Sequence, residues 1–141
     1  MKQMFKSAIC LMMGVIGCLV TSCGDDNDNP QNPGAGNREI EGKWQKYGTV
    51  ETDGSLSEGD PDEFWIFYSD GIFVNEDSGN LTTKGTYTVE GDKLTIMSKE
   101  VDGDGQEENF TGTFQIDGSF MDYTFTEIGK NDYTTYRFLK Q

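Results

Sequence analysis

The sequence contains no histidine. Histidine is the commonest general base near neutral pH and a ligand in most zinc sites, so its absence excludes a Ser-His-Asp type of triad and nearly every zinc centre. The chain is also poor in basic residues, with 11 Lys and Arg against 25 Asp and Glu and a formal net charge of −14. This deficit disfavours nucleic acid as a partner, because its phosphates must be neutralised by Lys and Arg.

Hydrophobic runs long enough to span a membrane are missing as well. The uncharged run from Ser7 to Ser22 is shorter than the roughly 20 residues that a helix needs to cross a bilayer. It follows Lys2 and Lys6 and ends in small residues before Cys23, which is the pattern of a secretory signal. We therefore expect a cleaved signal peptide over residues 1–22.

The last residues of this run carry a more specific pattern. Val20-Thr21-Ser22-Cys23 resembles the lipobox of bacterial lipoproteins, with valine where leucine is commoner. The resemblance implies cleavage before Cys23, diacylation of its thiol and acylation of the new amino terminus. Gly17-Cys18 is a rival cleavage site, but its use would shorten the apolar core and leave Leu19 exposed in the mature tail.

Cleavage at Cys23 decides what the mature chain contains. Cys10 and Cys18 leave with the signal and Cys23 carries lipid, so we expect no disulfide. Two lysines and no acid are removed, which takes the formal net charge to −16. Residues 23–37 have almost nothing to bury and predict a flexible acidic tether.

The acids that follow the cysteine suggest where the protein is displayed. Asp25, Asp26 and Asp28 resemble the signal that sends Bacteroidetes lipoproteins to the outer face of the outer membrane. The resemblance implies a protein that is lipid-anchored in the outer membrane and faces the cell exterior. The alternative is that these acids only keep the tether solvated and are not a targeting signal.

Residues 38–141 predict one all-β domain. Runs rich in Thr, Tyr, Phe, Val and Ile alternate with Asp-Gly, Gly-Asp and Ser-Gly pairs, and no segment has the apolar period of a helix. Eight strands joined by short turns indicate a meander, and closure into an up-and-down antiparallel barrel would remove its edges. The predicted strands are 43–50, 63–68, 72–76, 83–90, 93–100, 107–117, 119–127 and 132–139.

Turn lengths predict which side chains share a face. A two-residue loop at Gly91-Asp92 pairs Glu90 with Lys93, and a two-residue loop at Asp117-Gly118 joins a later hairpin. Each hairpin then has one apolar face without charge. These faces contain Tyr87, Val89, Leu94 and Ile96 in the first hairpin and Phe110, Gly112, Phe114, Ile116, Met121, Tyr123 and Phe125 in the second.

The hairpin that follows Phe64–Tyr68 leaves two registers open, because this strand is apolar on both faces. A three-residue turn would place Phe67 opposite Phe73, and a two-residue turn would place it opposite Val74. In either register some aromatic surface points outward. The preceding loop could cover it, or it could form a contact surface.

Gly42-Lys43-Trp44 opens the first predicted strand and Arg137 lies in the last. Together with the eight strands, the Phe67-x-x-Asp70-Gly71 turn and the segment 85–94, this pattern resembles the short lipocalin-like (calycin-type) domains of Bacteroidetes lipoproteins. The resemblance implies that Arg137 stacks on the Trp44 ring and closes one end of the barrel, an interaction worth about 0.5–2 kcal/mol.

Two alternatives to this closure stay open. If Tyr136 and Phe138 point inward, Arg137 alternates to the outer face and the closure is lost. The second alternative is that Trp44 is a plain core anchor.

The barrel interior is the candidate binding site. An eight-stranded barrel is either filled by side chains or holds one small ligand. The strand lengths predict a barrel roughly 18 Å high, and so many rings in it favour a filled interior with a shallow cup at one end. The candidate lining residues are Trp44, Tyr87, Phe110, Phe114, Tyr123, Phe125, Tyr136 and Phe138.

Catalytic and metal-binding patterns are weak. Asp60, Asp62 and Glu63 crowd a loop, but surface acids in so acidic a protein are expected to be solvated. The run Asp102-x-Asp104-x-Gln106 lacks the glycine and glutamate that a calcium loop has at its sixth and twelfth positions. We expect no enzyme, no metal and no cofactor.

Two functions remain open. The first is a surface lipoprotein whose barrel mouth binds a small lipophilic molecule. The second is a non-enzymatic accessory subunit with a filled barrel that contacts a protein or a glycan. An unfilled cavity of a few hundred Å³ would favour the first, and exposure of Phe64 or Trp65 would favour the second.

Overall fold

The computed structural model describes residues 39–141, which form nine β-strands and no helix. This part of the chain therefore has no helix that is long and apolar enough to span a membrane. The signal peptide predicted over 1–22, Cys23 and the tether over 23–37 lie outside the described residues. The strands are β1 (Gly42–Val50), β2 (Leu56–Glu58), β3 (Glu63–Phe67), β4 (Ile72–Asp77), β5 (Asn80–Glu90), β6 (Lys93–Glu100), β7 (Glu107–Asp117), β8 (Phe120–Glu127) and β9 (Thr134–Lys140).

Eight of these strands form a closed antiparallel barrel in the order β1-β3-β4-β5-β6-β7-β8-β9, and β9 pairs back with β1. The predicted all-β, eight-stranded fold is confirmed. The additional strand, β2, pairs with β1 only at Gly48–Val50, because the first half of β1 is taken by β3. Sequence did not predict β2, since its three residues are all exposed and have no apolar alternation.

Two hairpins test the predicted registers. Glu90 pairs with Lys93 as predicted. The loop between β7 and β8 is Gly118-Ser119, one residue later than predicted, because Asp117 pairs with Phe120. This difference moves the pairing by two residues, and an even shift leaves the predicted apolar faces unchanged.

The β3–β4 hairpin has the three-residue turn. Phe67 pairs with Phe73, and the Gly71 N–H donates to the Tyr68 carbonyl at 3.0 Å. Gly71 has a φ of 82°, a conformation that glycine adopts without the steric penalty of a side chain. The turn thereby fixes which of the two open registers the strand adopts.

The inner faces of the strands fill the barrel. Trp65 lies at its centre, with its ring centroid 4.9 to 6.3 Å from those of six other aromatic residues. Contacts of this number give an interior packed like a protein core and not a lined void. The buried cluster consists of Ile40, Trp44, Trp65, Phe67, Phe73, Tyr87, Leu94, Ile96, Phe114, Met121, Tyr123, Phe125 and Phe138.

The two ends of the barrel differ in chemistry. At one end, which we call the closed end, β1 begins and Ile40 and Trp44 are fully buried. At the other, the acidic end, β3 and β7 begin and charged side chains take inward positions. Cross-strand pairing identifies these positions, since Lys46 pairs with Phe138 and Glu108 with Ser98, and both partners are buried.

Candidate functional site

The eight predicted lining residues are part of the core. Six of them are buried, and the other two, Phe110 and Tyr136, are partly buried and pack against the rest. The hydroxyl groups of Tyr87 and Tyr123 donate to backbone carbonyls, at 2.8 Å to Tyr68 and at 3.1 Å to Leu94. Burial raises the pKa of both tyrosines. These side chains serve packing, and Phe110 and Tyr136 are the two of the eight that keep the most exposed surface.

The closed end is sealed by the chain itself. Trp44 is fully buried, and its Nε1 donates to the carbonyl oxygen of Ile40 at 2.7 Å. The Nζ of Lys140 lies 5.0 Å from the Trp44 ring centroid, because Lys140 pairs with Trp44 across β1 and β9. Trp44 is thus a core anchor with a lysine above its ring.

The predicted stacking of Arg137 on Trp44 is wrong. Arg137 lies on the outer wall, where its Nε and Nη2 donate to the two carboxylate oxygens of Asp122 at 2.7 and 2.6 Å. These hydrogen bonds and the charge of Asp122 raise the pKa of Arg137. The physical reason is strand alternation: Tyr136 and Phe138 point inward, so the residue between them points outward.

The acidic end contains a cavity of about 420 Å³, which we call the acidic cup. Its lining is rich in carboxylates and contains one leucine and no aromatic side chain. The cup therefore differs from the apolar mouth that the sequence predicted. It is lined by Glu63, Asn75, Asp77, Asn80, Leu81, Thr82, Thr83, Glu100, Asp102 and Glu108.

A partly buried ion pair lies at the cup, since one of its members, Glu63, is a lining residue. Lys46 Nζ donates to Glu63 Oε2 at 2.7 Å and lies 4.3 Å from the Tyr136 ring centroid, while Trp65 Nε1 donates to Glu63 Oε1 at 3.0 Å. The two charged side chains are only 19% and 16% exposed. Burial alone would lower the pKa of Lys46, but the hydrogen bond and charge of Glu63 outweigh it and the pKa is raised.

The cup also contains an amide oxygen without a hydrogen-bond partner and a carboxylate without an ion-pair partner among the described residues. Asn75 Oδ1 is buried and has no hydrogen-bond partner. The pKa of Glu108 is raised by burial and by the negative charges of Glu100, Glu127 and Glu63. Lys130 neutralises Glu127, but no ion pair within residues 39–141 neutralises Glu108. The cup therefore presents acceptors and negative charge in excess of its donors.

A metal site is not preformed in this part of the chain. Within residues 39–141 no three or more carboxylates converge as ligands for a metal ion. The acids predicted to crowd one loop are engaged in local contacts. A carboxylate oxygen of Asp60 accepts a hydrogen bond from the backbone N–H of Asp62 at 3.0 Å, and Glu63 binds Lys46.

The outer wall has a separate aromatic feature. Tyr47 and Phe120 are 46% and 39% exposed, and their rings meet edge to face at 5.5 Å. Beside them the Arg137–Asp122 pair borders a shallow cavity of about 220 Å³. By contrast Trp65 is buried, and Phe64 lies partly covered by the Nζ of Lys43 at 4.2 Å from its ring.

Sequence reasoning missed the residues of the acidic cup. Alternation could have found some of them, because Glu108 precedes the inward Phe110 by two residues, and Glu100 follows the inward Ser98 by two. No comparable pattern in the sequence predicts that Lys46 forms an ion pair with Glu63.

Comparisons with protein-family models, with curated proteins and with solved structures find no match to this chain. What the acidic cup can bind must therefore be argued from its own residues.

Proposed function

We propose that this protein is a lipid-anchored, non-enzymatic binding module of the outer membrane that faces the cell exterior. Cys23 after a short apolar signal supports the anchor, and the acids behind it support display at the surface. The lipocalin-like barrel supplies a rigid scaffold, held near the membrane by the tether of residues 23–37. In this proposal the ligand is a small molecule that binds at the mouth.

The observation that carries the binding function is the acidic cup. Its volume of about 420 Å³ falls in the range of small-molecule sites, roughly 300–1,000 Å³. The packed core leaves the mouth as the place for a ligand, and Leu81 is the single large apolar side chain among the residues that line the cup. Because the remaining lining is polar, we expect the lipophilic ligand to carry polar groups as well.

The two tryptophans provide the test, since the indole N–H of Trp65 lies near the acidic end and that of Trp44 at the closed end. A panel of small molecules is titrated into the ¹⁵N-labelled protein. We expect a ligand to shift the Trp65 indole signal with one-to-one stoichiometry and to leave the Trp44 signal unchanged. No shift from a broad panel, in a folded protein, would contradict binding at the mouth.

The anchor has its own test. A Cys23→Ala variant should be released as a soluble protein without acyl mass, and protease added to intact cells should remove the wild-type domain. An acylated peptide that begins at Cys18 would show that cleavage occurs at the rival site.

The exposed Tyr47–Phe120 pair favours a second function, an accessory subunit that contacts a protein or a glycan through the outer wall. Here the Arg137–Asp122 pair would supply hydrogen bonds beside the two rings. Replacing Tyr47 with Ser should then abolish partner binding and leave the Trp65 indole signal in place.

A further inference from the structure

A row of three polar side chains crosses the outer wall of the barrel. Arg137 in β9 pairs with Asp122 in β8, and Asp122 pairs with Gln115 in β7, so the three side chains lie next to one another on adjacent strands. Two hydrogen bonds, of 2.7 and 2.6 Å, join Arg137 to Asp122. A bidentate pair of this kind fixes the planes of both groups before a ligand binds.

This row keeps hydrogen-bonding capacity for a ligand. A guanidinium group has five N–H donors, and the pair with Asp122 engages only Nε and Nη2 of Arg137. Within residues 39–141 the Nη1 of Arg137 has no hydrogen-bond partner. The side chains of Arg137 and Asp122 are 39% and 35% exposed, and Gln115 is exposed as well. Donors and acceptors are thus presented side by side.

Two further rows flank the polar one, each about 7 Å from it along the strands. On one side lie Phe120 and Leu139, which pair with each other. Tyr47, at the bulge in β1, adds a second ring that meets Phe120 at 5.5 Å. On the other side lie threonines, and the Oγ1 atoms of Thr124 and Thr135 are 2.8 Å apart. The polar row therefore has rings on one side and hydroxyl groups on the other.

Two shallow cavities follow these rows, and together we call them the wall trough. The first has a volume of about 220 Å³ and is lined by Gln115, Asp117, Phe120, Asp122 and Arg137. The second has a volume of about 390 Å³ and is lined by Asp92, Thr113, Phe114, Gln115, Asp122, Thr124 and Thr135. Because Gln115 and Asp122 line both cavities, the two adjoin each other and the trough extends from Phe120 to the threonines.

The chemistry of this lining fits a sugar. A sugar hydroxyl both donates and accepts hydrogen bonds, so neighbouring hydroxyls complement a guanidinium and a carboxylate that lie side by side. The C–H face of a sugar ring is apolar and packs on an aromatic ring, which Phe120 offers at the edge of the same cavity. Three aspartates and one arginine line the trough. This negative balance favours a neutral sugar over a uronic acid or a phosphate.

A protein surface fits the trough less well. The cores of protein interfaces are depleted of charged residues, whereas the pair of Arg137 and Asp122 lies at the centre of this trough and would lose its hydration under an apolar surface. Sugar hydroxyls replace the hydrogen bonds of that water. We propose that the wall trough binds a neutral glycan chain, with one sugar ring against Phe120 and its hydroxyls on Arg137 and Asp122. This inference rests on the accessory function proposed for the outer wall and names its partner.

The experiment titrates hexasaccharides into the ¹⁵N-labelled protein at pH 7. Four probes are neutral (maltohexaose, cellohexaose, xylohexaose and mannohexaose) and one, hexagalacturonate, is acidic. At least one neutral probe should bind one-to-one, shift the Nε–H signal of Arg137 and leave the Trp65 indole signal unchanged. Hexagalacturonate should bind at least about tenfold more weakly. Raising the salt concentration from 0.05 to 0.5 M should change the affinity for the neutral probe by less than about twofold, because that probe carries no charge.

Three variants locate the site. Phe120→Ser should weaken binding of the neutral probe about tenfold, because the sugar ring loses its aromatic surface. Arg137→Gln should weaken it at least about threefold through lost hydrogen bonds. Lys43→Met is the matched control and should leave binding unchanged, since Lys43 also pairs with a carboxylate, that of Glu76, beside a ring, that of Phe64, elsewhere on the outer wall. Thermal unfolding checks that each variant is folded.

Each contrary result has a distinct meaning. If no hexasaccharide binds the folded protein, the glycan is the wrong partner, whereas the accessory function itself fails only if Tyr47→Ser leaves partner binding intact. If hexagalacturonate binds as tightly as the neutral probes, the preference for a neutral sugar is wrong. If a probe shifts the Trp65 signal instead of that of Arg137, or binds Phe120→Ser as tightly as wild type, the sugar binds outside the wall trough and the proposed site is wrong.

Discussion

The two ends of the barrel are built from similar parts with different consequences. Each has a tryptophan whose Nε1 donates a hydrogen bond and a lysine whose ammonium lies over an aromatic ring. At the closed end the indole acceptor is a backbone carbonyl, that of Ile40. At the acidic end it is the carboxylate of Glu63, which also binds Lys46.

Whether an end of the barrel is closed depends on the group that accepts the hydrogen bond of its tryptophan. A backbone carbonyl is neutral, so chain segment 39–41 can cover Trp44 without burying charge. A carboxylate and an ammonium must both keep some hydration or bind each other, because burial of an unpaired ion is very unfavourable. The acidic end thus stays accessible, and the same barrel has one end that the chain closes and one end that it leaves open.

Removal of the closed-end anchor should have the largest effect. Trp44→Ala should lower the free energy of unfolding by about 3–5 kcal/mol, the usual loss for an aromatic side chain in a core. Urea denaturation measures this change. Lys140→Met, which removes only the exposed cation above the ring, is the matched control and should cost less than about 1 kcal/mol. An unchanged urea midpoint for Trp44→Ala would show that the closed end contributes no more to stability than the acidic end does.

The ion pair at the acidic end should come next. Lys46→Met leaves Glu63 as a largely buried carboxylate without its cation, and we expect a loss of about 1–3 kcal/mol. The double variant Lys46→Met with Glu63→Gln should recover part of this loss, because no unpaired charge remains. A double variant that is less stable than the single one would mean that the pair, and not the charge imbalance, provides the stability.

A buried hydroxyl at the closed end allows a finer comparison. Tyr87→Phe removes the 2.8 Å hydrogen bond to the Tyr68 carbonyl and should cost about 0.5–1.5 kcal/mol at neutral pH. Burial and the charges of Glu41 and Asp70 raise the pKa of Tyr87 to about 12, above the unfolded value of 10.0. The unfolded state therefore releases its proton first, so stability of the wild type should fall as the pH rises from 10 towards 12. The Tyr87→Phe variant should show a smaller fall over this range.

The smallest effect concerns a carboxylate of the acidic cup. The pKa of Glu108 is raised in the folded state, so in the interval between its unfolded and folded values the folded state binds more protons. Stability should increase as the pH falls through that interval. Glu108→Gln should be slightly more stable than wild type at pH 7, and the difference should shrink at acidic pH. A difference that grows towards acidic pH would contradict unrelieved repulsion in the cup.

Sequence alone predicts the closed end better than the acidic end. Trp44 and the inward residues of the hairpins follow from period-two alternation and from Gly-Asp and Asp-Gly turns, which are local properties of the chain. Lys46 and Glu63 each lie two residues from an inward tryptophan, so alternation indicates the face that they occupy, but it does not indicate that the two side chains bind each other. Their pairing arises only when β1 and β3 meet, and a bulge between Lys46 and Gly48 further changes the alternation.

Closure of the barrel joins the beginning of the domain to its end, since Trp44 in β1 pairs with Lys140 in β9. The order of synthesis consequently delays completion of the fold, because β1 has no partner for its second edge until Thr134–Lys140 has emerged. Contacts so distant along the chain make folding slow, and until they form the edges of β1 and β8 are open to pairing with other chains. A chain cut before Thr134 should therefore aggregate, whereas the complete chain protects both edges at its final step.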